Sequence, residues 1–136
     1  MTRTRDHVLR VDLSTETVRR ERVPERWRRR FLGGKGLGAR YLYEELDAGT
    51  DPLGPNNVLG FVLGPLSGHL PGETRYAAVT KSPLTGGFLD SYAGGSFPAR
   101  LAGALPECLG LLVTGSADAP VAIRVGDGDA AVVSAA

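Results

Sequence analysis

The residues that could form a binding surface are concentrated between positions 80 and 100, in the segment TKSPLTGGFLDSYAGGSFPAR. Two Gly-Gly pairs stand in this segment, and the basic residues Arg75, Lys81 and Arg100 lie in or beside it. Glycine costs conformational entropy on folding, so it is used where φ must be positive or where another group approaches the backbone closely. The pattern therefore predicts a surface of bare backbone, with positive charge nearby, against which another group lies.

A second glycine-rich segment, LGGKGLGAR at residues 32–40, contains Lys35. A glycine-rich turn that opens a helix offers free N–H groups to an anion, which makes phosphate binding one interpretation. The spacing matches neither the Walker A motif nor the G-x-G-x-x-G dinucleotide motif. A tight connection between two helices is the competing interpretation, since glycine is common at helix ends. The interpretation of the chain as a nucleotide-binding module depends on this segment alone.

No catalytic constellation is visible in the sequence. The two histidines, His7 and His69, have no spaced partners that would make a metal site or a Ser-His-Asp set. Asp90 and Glu73 are a possible acid–base pair, but no spacing requires it. The single cysteine, Cys108, excludes an internal disulfide and a cysteine-rich metal site built by these residues, and it is predicted to be buried.

Composition is typical of one soluble globular domain. The 136 residues are 42% hydrophobic and 23% charged, and the formal net charge is +1. A nearly neutral chain without basic stripes interleaved with aromatic residues disfavours nucleic-acid binding, and the arginine-rich segment 19–30 is interpreted as a solvated helix face. No segment approaches the length of a membrane span, so a cytoplasmic protein is predicted.

Hydrophobic periodicity and turn residues predict an α+β fold of many short strands and two or three helices. A hairpin is predicted over residues 7–23, and Pro24 is suited to the first turn of the helix that follows. The last apolar segment, AAVVSAA, indicates a strand without a terminating signal, as in the front part of a longer protein. The remaining predicted helices cover 37–46 and 96–105, and the remaining strands cover 58–64, 75–80, 86–92, 109–115 and 121–128.

The order of several motifs carries a family resemblance. FLGGKGLGA, DPLGP, GPLSG, KSPLTGG and DSYAGGSFPARL follow one another at a specific spacing. In this the chain resembles the N-terminal domain of the aldehyde:ferredoxin oxidoreductases, which are tungsten- or molybdenum-pterin enzymes, from about Val8 to Val125. The resemblance implies that residues 1–136 form a β-rich, two-part (pseudo-duplicated) platform on which a bis-pterin cofactor sits.

The resemblance also implies which residues contact the cofactor. SYAGG, residues 91–95, stands where the family has Asn-Ser-Gly-Gly, so Tyr92 replaces the usual asparagine. The main-chain carbonyl of Tyr92 is the implied ligand of a magnesium ion that bridges the two pterins. Pro98 stands where family members often have glycine, and it removes one N–H group. The implied cofactor-binding residues are Arg75, Tyr92, Ala93, Gly94 and Gly95, with Lys81 and Lys35 as further anion partners.

The complete enzyme implied by the resemblance oxidises an aldehyde to a carboxylic acid and passes electrons to ferredoxin. Its [4Fe–4S] cluster needs about four thiolates, so later domains would have to supply them to this one-cysteine chain. The partners implied are those domains, ferredoxin, a small aldehyde and, for an exposed platform, a second copy of the chain. The alternative is a stand-alone remnant or partner subunit of the same fold without catalysis.

Overall fold

The computed structural model describes residues 4–72 and 74–135, so Glu73 of the possible acid–base pair lies outside the described residues. Along these residues, two strands are followed by two helices, three strands, a third helix and three further strands. The strands are β1 His7–Asp12, β2 Thr17–Arg22, β3 Leu59–Val62, β4 Tyr76–Lys81, β5 Phe88–Ala93, β6 Cys108–Thr114, β7 Val121–Gly126 and β8 Asp129–Ser134. The helices are α1 Glu25–Phe31, α2 Gly34–Glu45 and α3 Phe97–Ala104.

Six strands form one mixed sheet in the order β2-β1-β6-β3-β4-β5, and β7 and β8 form a separate hairpin. Only β1 and β6 run parallel, with Val11 opposite Val113, whereas every other neighbouring pair in the sheet is antiparallel. β6 lies between β1 and β3 in the interior of the sheet, and all of its residues except Thr114 are buried. The two edges of the sheet are therefore β2 and β5.

Helices α1 and α2 cover one face of the sheet. Trp27 and Tyr41 pack edge to face with their ring centroids 5.1 Å apart, a geometry that adds about 1 kcal/mol to the burial itself. Leu37 and Tyr41 are almost fully buried against Val79 and other strand residues of the same cluster. This face fixes α2 over β3 and β4.

Helix α3 and the β7–β8 hairpin lie against the opposite face. Leu101 and Leu105 are buried there with Leu9 and Val11 of β1, and hairpin residues such as Ile123 pack on the same cluster. Cys108 is 1% exposed in this cluster, which confirms its predicted burial. The sheet is thus enclosed by helices on one side and by a helix and a hairpin on the other.

The predicted α+β class is confirmed, and each predicted strand and helix has a counterpart. The start of α2 differs from the prediction, because the helix begins at Gly34 and includes Gly36 and Gly38. A Cβ on Gly38 would lie 2.6 Å from Val79 Cγ2, so glycine is used there to let α2 approach the sheet. The glycine-rich segment is therefore mostly helix, and only residues 32–33 separate α2 from α1. The internal duplication implied by the resemblance stays a prediction.

Two classes of feature are not found within residues 4–72 and 74–135. None of the helices there has the length and the apolar character that crossing a membrane requires. No group of three or more His, Cys, Asp or Glu side chains is gathered there in a way that could hold a metal ion.

Candidate functional site

Strand β5 and the two glycine turns that flank it form the surface on which most of the predicted site residues meet. We call this surface the β5 edge and define it as residues 86–95. β5 has a strand neighbour on only one side, and every residue of it except the half-buried Asp90 is exposed. An edge strand presents a row of backbone N–H and C=O groups that can bind another chain or a ligand.

The register between β4 and β5 places the side chains of this surface. Ala77 lies opposite Tyr92 and Val79 lies opposite Asp90, so Tyr92 and Asp90 project to the face covered by α2. Tyr92 is 50% exposed. Its main chain therefore lies at the sheet edge, and its side chain projects to the same face of the sheet as that of Asp90.

Lys35 reaches the β5 edge from the first turn of α2. Its Nζ lies 3.3 Å from Oδ1 of Asp90. The sequence places these residues 55 positions apart, and the fold brings them together because α2 packs on β4, the neighbour of β5. Asp90 is consequently the ion-pair partner of Lys35.

The glycine-rich start of α2 is explained by packing rather than by an open anion site. The N–H of Gly34 donates to the carbonyl of Leu63 at 2.9 Å. A Cβ on Gly33 would lie 2.6 Å from the same carbonyl oxygen. Because the loop after β3 occupies this helix start, the tight helix–helix connection is the interpretation that the structure supports, and a nucleotide-binding module loses its only argument.

Lys81 is the last residue of β4 and lies opposite Phe88. Its Nζ donates to the carbonyl of Thr50 at 2.6 Å, which ties the loop after α2 to the sheet. Arg75 immediately precedes β4 and is exposed at the end where Tyr76 pairs with Ala93. A six-residue strand spans roughly 17 Å, so Arg75 and Lys81 are at opposite ends of the surface and Lys35 is between them.

The turn from β5 into α3 combines free backbone with a rigid support. Gly95 has φ +74°, and a Cβ built on it would meet no atom within 4 Å. The ring of Tyr76 contacts Phe97 with centroids 5.0 Å apart, which fixes the start of α3 against β4. Among the described residues no side chain caps α3, so the N–H groups of its first turn are left for another acceptor, except at Pro98, which has none.

The Gly86–Gly87 pair has a local structural role. Residues 82–87 form a tight hairpin loop, in which the N–H of Ser82 donates to the carbonyl of Gly87 and the N–H of Gly86 donates to the carbonyl of Ser82, both at 2.8 Å. Gly86 has φ +70°, which only glycine adopts readily. The tip residue Leu84 is 92% exposed. One of the two glycine pairs is thus required by the turn itself.

Two supporting residues were not identified as site residues from the sequence. The Nδ2 group of Asn57 donates to the carbonyls of Pro52 and Lys81 at 2.8 and 3.1 Å, which joins the loop before β3 to β4. Tyr76 is the aromatic support of the Gly94–Gly95 turn. Asn57 has no sequence signal beyond its turn-rich context, whereas the alternation of β4 could have placed Tyr76 on the face opposite α2.

Comparison with known proteins agrees with this architecture. The family described as "Aldehyde ferredoxin oxidoreductase, N-terminal domain" matches residues 8–136. The chain belongs to this family. The resemblance inferred from the motifs is thereby confirmed, and the match continues beyond Val125 to the last residue.

The relatives that match this chain are several times longer than its 136 residues. The tungsten-containing aldehyde ferredoxin oxidoreductase of Pyrococcus horikoshii is 40% identical over 121 residues, which cover 88% of this chain and 20% of the relative. The enzyme of the same name from Thermococcus kodakarensis is 41% identical over 120 residues, with the same coverage. The chain therefore spans about a fifth of the length of these relatives.

A solved structure has the same fold. The active site complex BamBC of benzoyl coenzyme A reductase superposes with a TM-score of 0.89 at 26% identity, over 97% of this chain and 20% of that one. A further relative, the WOR-like subunit of an aliphatic sulfonate oxidoreductase of Pyrococcus furiosus, is 35% identical over 117 residues. The domain thus occurs in oxidoreductases whose names differ in substrate.

Proposed function

We propose that the β5 edge is the cofactor platform of a tungsten- or molybdenum-pterin aldehyde:ferredoxin oxidoreductase of which these residues are the N-terminal domain. The observation that carries the proposal is an edge strand with exposed backbone, followed directly by the uncapped start of α3, in a chain of this family. A cytoplasmic location and a polypeptide longer than these residues belong to the same proposal.

The residues of the β5 edge fit a flat, anionic group. Bare backbone at Gly95 leaves open space where a side chain would otherwise stand, so a ring system can lie in van der Waals contact with the turn. Exposed N–H groups at a turn and a helix start favour phosphate oxygens. Arg75 adds a fork of donors at the same end of the sheet, and such forks bind phosphate by paired hydrogen bonds.

Each residue has a defined part in this proposal. Arg75 binds a phosphate or a pterin edge, and Ala93, Gly94 and Gly95 hold the ring by their backbone. The carbonyl of Tyr92 is the ligand for a magnesium ion, a role for which the side chain is immaterial. Lys35 and Lys81 add positive charge, and their contacts with Asp90 and Thr50 hold them in place.

The bound metal–pterin group would supply the oxidation of an aldehyde to a carboxylic acid, with electrons leaving through a [4Fe–4S] cluster to ferredoxin. This chain holds one cysteine, so the cluster ligands belong to other domains. The domain itself orients the cofactor. The aldehyde, ferredoxin and the remaining domains are the partners that this assignment requires.

The experiment that tests the platform compares Arg75→Gln with Arg124→Gln in the intact protein. Both variants remove one exposed arginine, but Arg124 stands on the β7–β8 hairpin. Tungsten and molybdenum are counted per polypeptide by mass spectrometry, and pterin is counted by its fluorescence after acid oxidation. We expect Arg75→Gln to weaken cofactor retention about ten-fold and Arg124→Gln to leave it unchanged. Equal metal and pterin content in both variants would contradict the proposal.

A second candidate is a partner subunit of the same fold without catalysis of its own. The names of two similar proteins, a complex and a WOR-like subunit, favour it because they describe multi-subunit enzymes. The mass of the native polypeptide separates the two candidates. A band several times larger than 14.3 kDa, detected with an antibody to residues 80–100, supports the first, and a band at 14.3 kDa supports the second.

A further inference from the structure

A cavity of about 630 Å³ lies between the main sheet, helix α3 and the β7–β8 hairpin. Its floor includes Phe61 of β3 and Leu111 and Val113 of β6. Every described residue that lines it is apolar except Arg100. The volume falls within the range of about 300–1,000 Å³ that is usual for small-molecule sites in proteins. The cavity therefore has the size and the apolar character of a ligand site, with one cation in its lining.

The hairpin wall of this cavity is built by the alternation of β7. Val121, Ile123 and Val125 line the cavity, whereas Ala122 and Arg124 are exposed on the other face of the strand. The three cavity residues are only half-buried, although they form the apolar face of the hairpin. A two-stranded hairpin is marginally stable by itself, so it depends on apolar contacts made by this face. An apolar group bound in the cavity would add to those contacts.

The wall formed by α3 carries the single charge. Phe97, Arg100, Leu101 and Ala104 line the cavity, and their spacing of three and four residues places them on one face of the helix. The positions of a helix that face the interior of a protein are ordinarily apolar. Arg100 is nevertheless the only charged residue of α3, and it stands on this face. The position of the charge therefore indicates a negative group at the cavity.

A purely structural role accounts for only part of this arrangement. Arg100 is exposed, and the stem of an arginine can cover apolar surface while its guanidinium stays in water. This explains the charge but not the separation of the apolar walls, because protein interiors pack closely. The walls are held by aromatic contacts, since the ring of Tyr76 lies 5.0 Å from that of Phe97 and 5.9 Å from that of Phe61 between centroids. The cavity is therefore a supported feature of the fold.

We propose that this cavity binds a medium-chain carboxylate, with its apolar chain between α3, β7 and the sheet and its carboxylate at Arg100. Apolar walls favour the burial of methylene groups, and a guanidinium binds a carboxylate by two parallel hydrogen bonds. No aspartate or glutamate is among the described residues that line the cavity, so none of them opposes the bound carboxylate. The inference is independent of the proposed cofactor platform, because none of these lining residues belongs to the β5 edge.

The test is calorimetric titration of the intact protein with octanoate. Octanol has the same chain length without the charge, and acetate has the charge without the chain. Arg100→Gln is paired with Arg124→Gln, which removes the same charge from the exposed face of β7. Ile123→Trp fills the cavity from β7, and Ala122→Trp is its control because it adds the same ring to the exposed face of that strand.

We expect octanoate to bind with a Kd of about 100 μM, and octanol to bind about ten-fold more weakly. Acetate should not bind in this range, because it has no chain to bury. Arg100→Gln should weaken the binding of octanoate about ten-fold and leave that of octanol unchanged, whereas Arg124→Gln should weaken neither more than about two-fold. Ile123→Trp should weaken the binding of both octanoate and octanol at least about ten-fold, and Ala122→Trp should leave both unchanged.

Three results would overturn the proposal. One is the absence of octanoate binding up to about ten millimolar, which would leave an apolar segment of a longer polypeptide as the occupant of the cavity. Another is an equal loss of octanoate binding in Arg100→Gln and Arg124→Gln, because it would show a general attraction to surface charge. The third is an equal loss in Ile123→Trp and Ala122→Trp, because octanoate would then bind outside the cavity.

Discussion

The two edge strands of the main sheet, β2 and β5, differ in how they meet their surroundings. β2 has the sequence TVRRER, and its arginines and glutamate pair with Arg10, Glu107 and Asp6. β5 has the sequence FLDSYA, and Phe88, Leu89 and Tyr92 are 44%, 37% and 50% exposed. Charged edges resist pairing with other chains, whereas apolar edges invite contact.

The difference indicates what each edge is for. β2 presents a charged edge to solvent, and its long charged side chains are held in ion pairs. β5 combines exposed aromatic residues with bare glycine turns, a surface of the kind that proteins cover with a ligand or another domain. This contrast supports the proposal that the cofactor and the remaining domains lie on the β5 side.

The largest effect is expected from Gly38→Val, which would lift α2 away from β4 and so deform the support of the β5 edge. The new Cβ would lie 2.6 Å from Val79 Cγ2, closer than any real contact. We expect a loss of roughly 3 kcal/mol in the free energy of unfolding by urea denaturation. Gly103→Val is the control in α3, because a Cβ on Gly103 would meet no atom within 4 Å. Equal losses in both variants would contradict close packing as the cause.

The second prediction concerns the ion pairs behind β2. Arg10 bonds to Glu21 on β2 and to Glu45 at the end of α2. Burial alone would lower the pKa of Arg10, but the hydrogen bonds to Glu45 and Glu21 outweigh it and raise the pKa. Arg10→Met would leave two half-buried carboxylates facing each other, so we expect a loss of about 2 kcal/mol at pH 7.

Arg19→Met is the matched control for this network. Arg19 is 73% exposed and lies 3.8 Å from Glu21, so its removal should change stability by less than about 0.5 kcal/mol. The loss in Arg10→Met should shrink when both glutamates are also replaced by glutamine. A loss that persists in that triple variant would mean that packing of Arg10 on the ring of Tyr41, rather than charge, holds β2 in place.

Features that depend on local sequence could be predicted, whereas features that depend on packing between distant elements could not. The strands and helices follow from local periodicity, and the family follows from motifs that lie in a fixed order. The ion pair between Lys35 and Asp90 could not be predicted, because it depends on how α2 crosses the sheet.

The third prediction concerns a charged residue, of the kind found on β2, placed on the apolar edge strand β5. We expect the 136-residue chain to self-associate through the β5 edge and to bind a hydrophobic dye. Leu89→Lys should weaken self-association about five-fold in sedimentation equilibrium, because a lysine on an edge strand opposes pairing. Thr17→Lys adds the same charge to the exposed start of β2 and should change nothing. A monomeric wild-type chain without dye binding would contradict the prediction.

The smallest effect is expected at Tyr41, which lies beneath β1 and β2. Its hydroxyl is buried without a hydrogen-bond partner among the described residues, and the ring is 1% exposed. Tyr41→Phe removes an unsatisfied polar group and leaves only a small void, so we expect the free energy of unfolding to rise by roughly 0.5 kcal/mol. Tyr43→Phe, at an 81% exposed position, should be neutral.

The pH dependence of stability sharpens this last prediction. Burial, and after it the charge of Glu21, raises the pKa of Tyr41 above the value of about 10 that it has in the unfolded chain. Above that pH the unfolded chain releases the proton and the folded chain retains it, so stability falls as pH rises. Burial raises the pKa of Cys108 as well and adds a fall of the same sign that both proteins share. The gap between Tyr41→Phe and wild type should therefore widen above about pH 10, and a constant gap would mean that the hydroxyl is hydrogen-bonded to water.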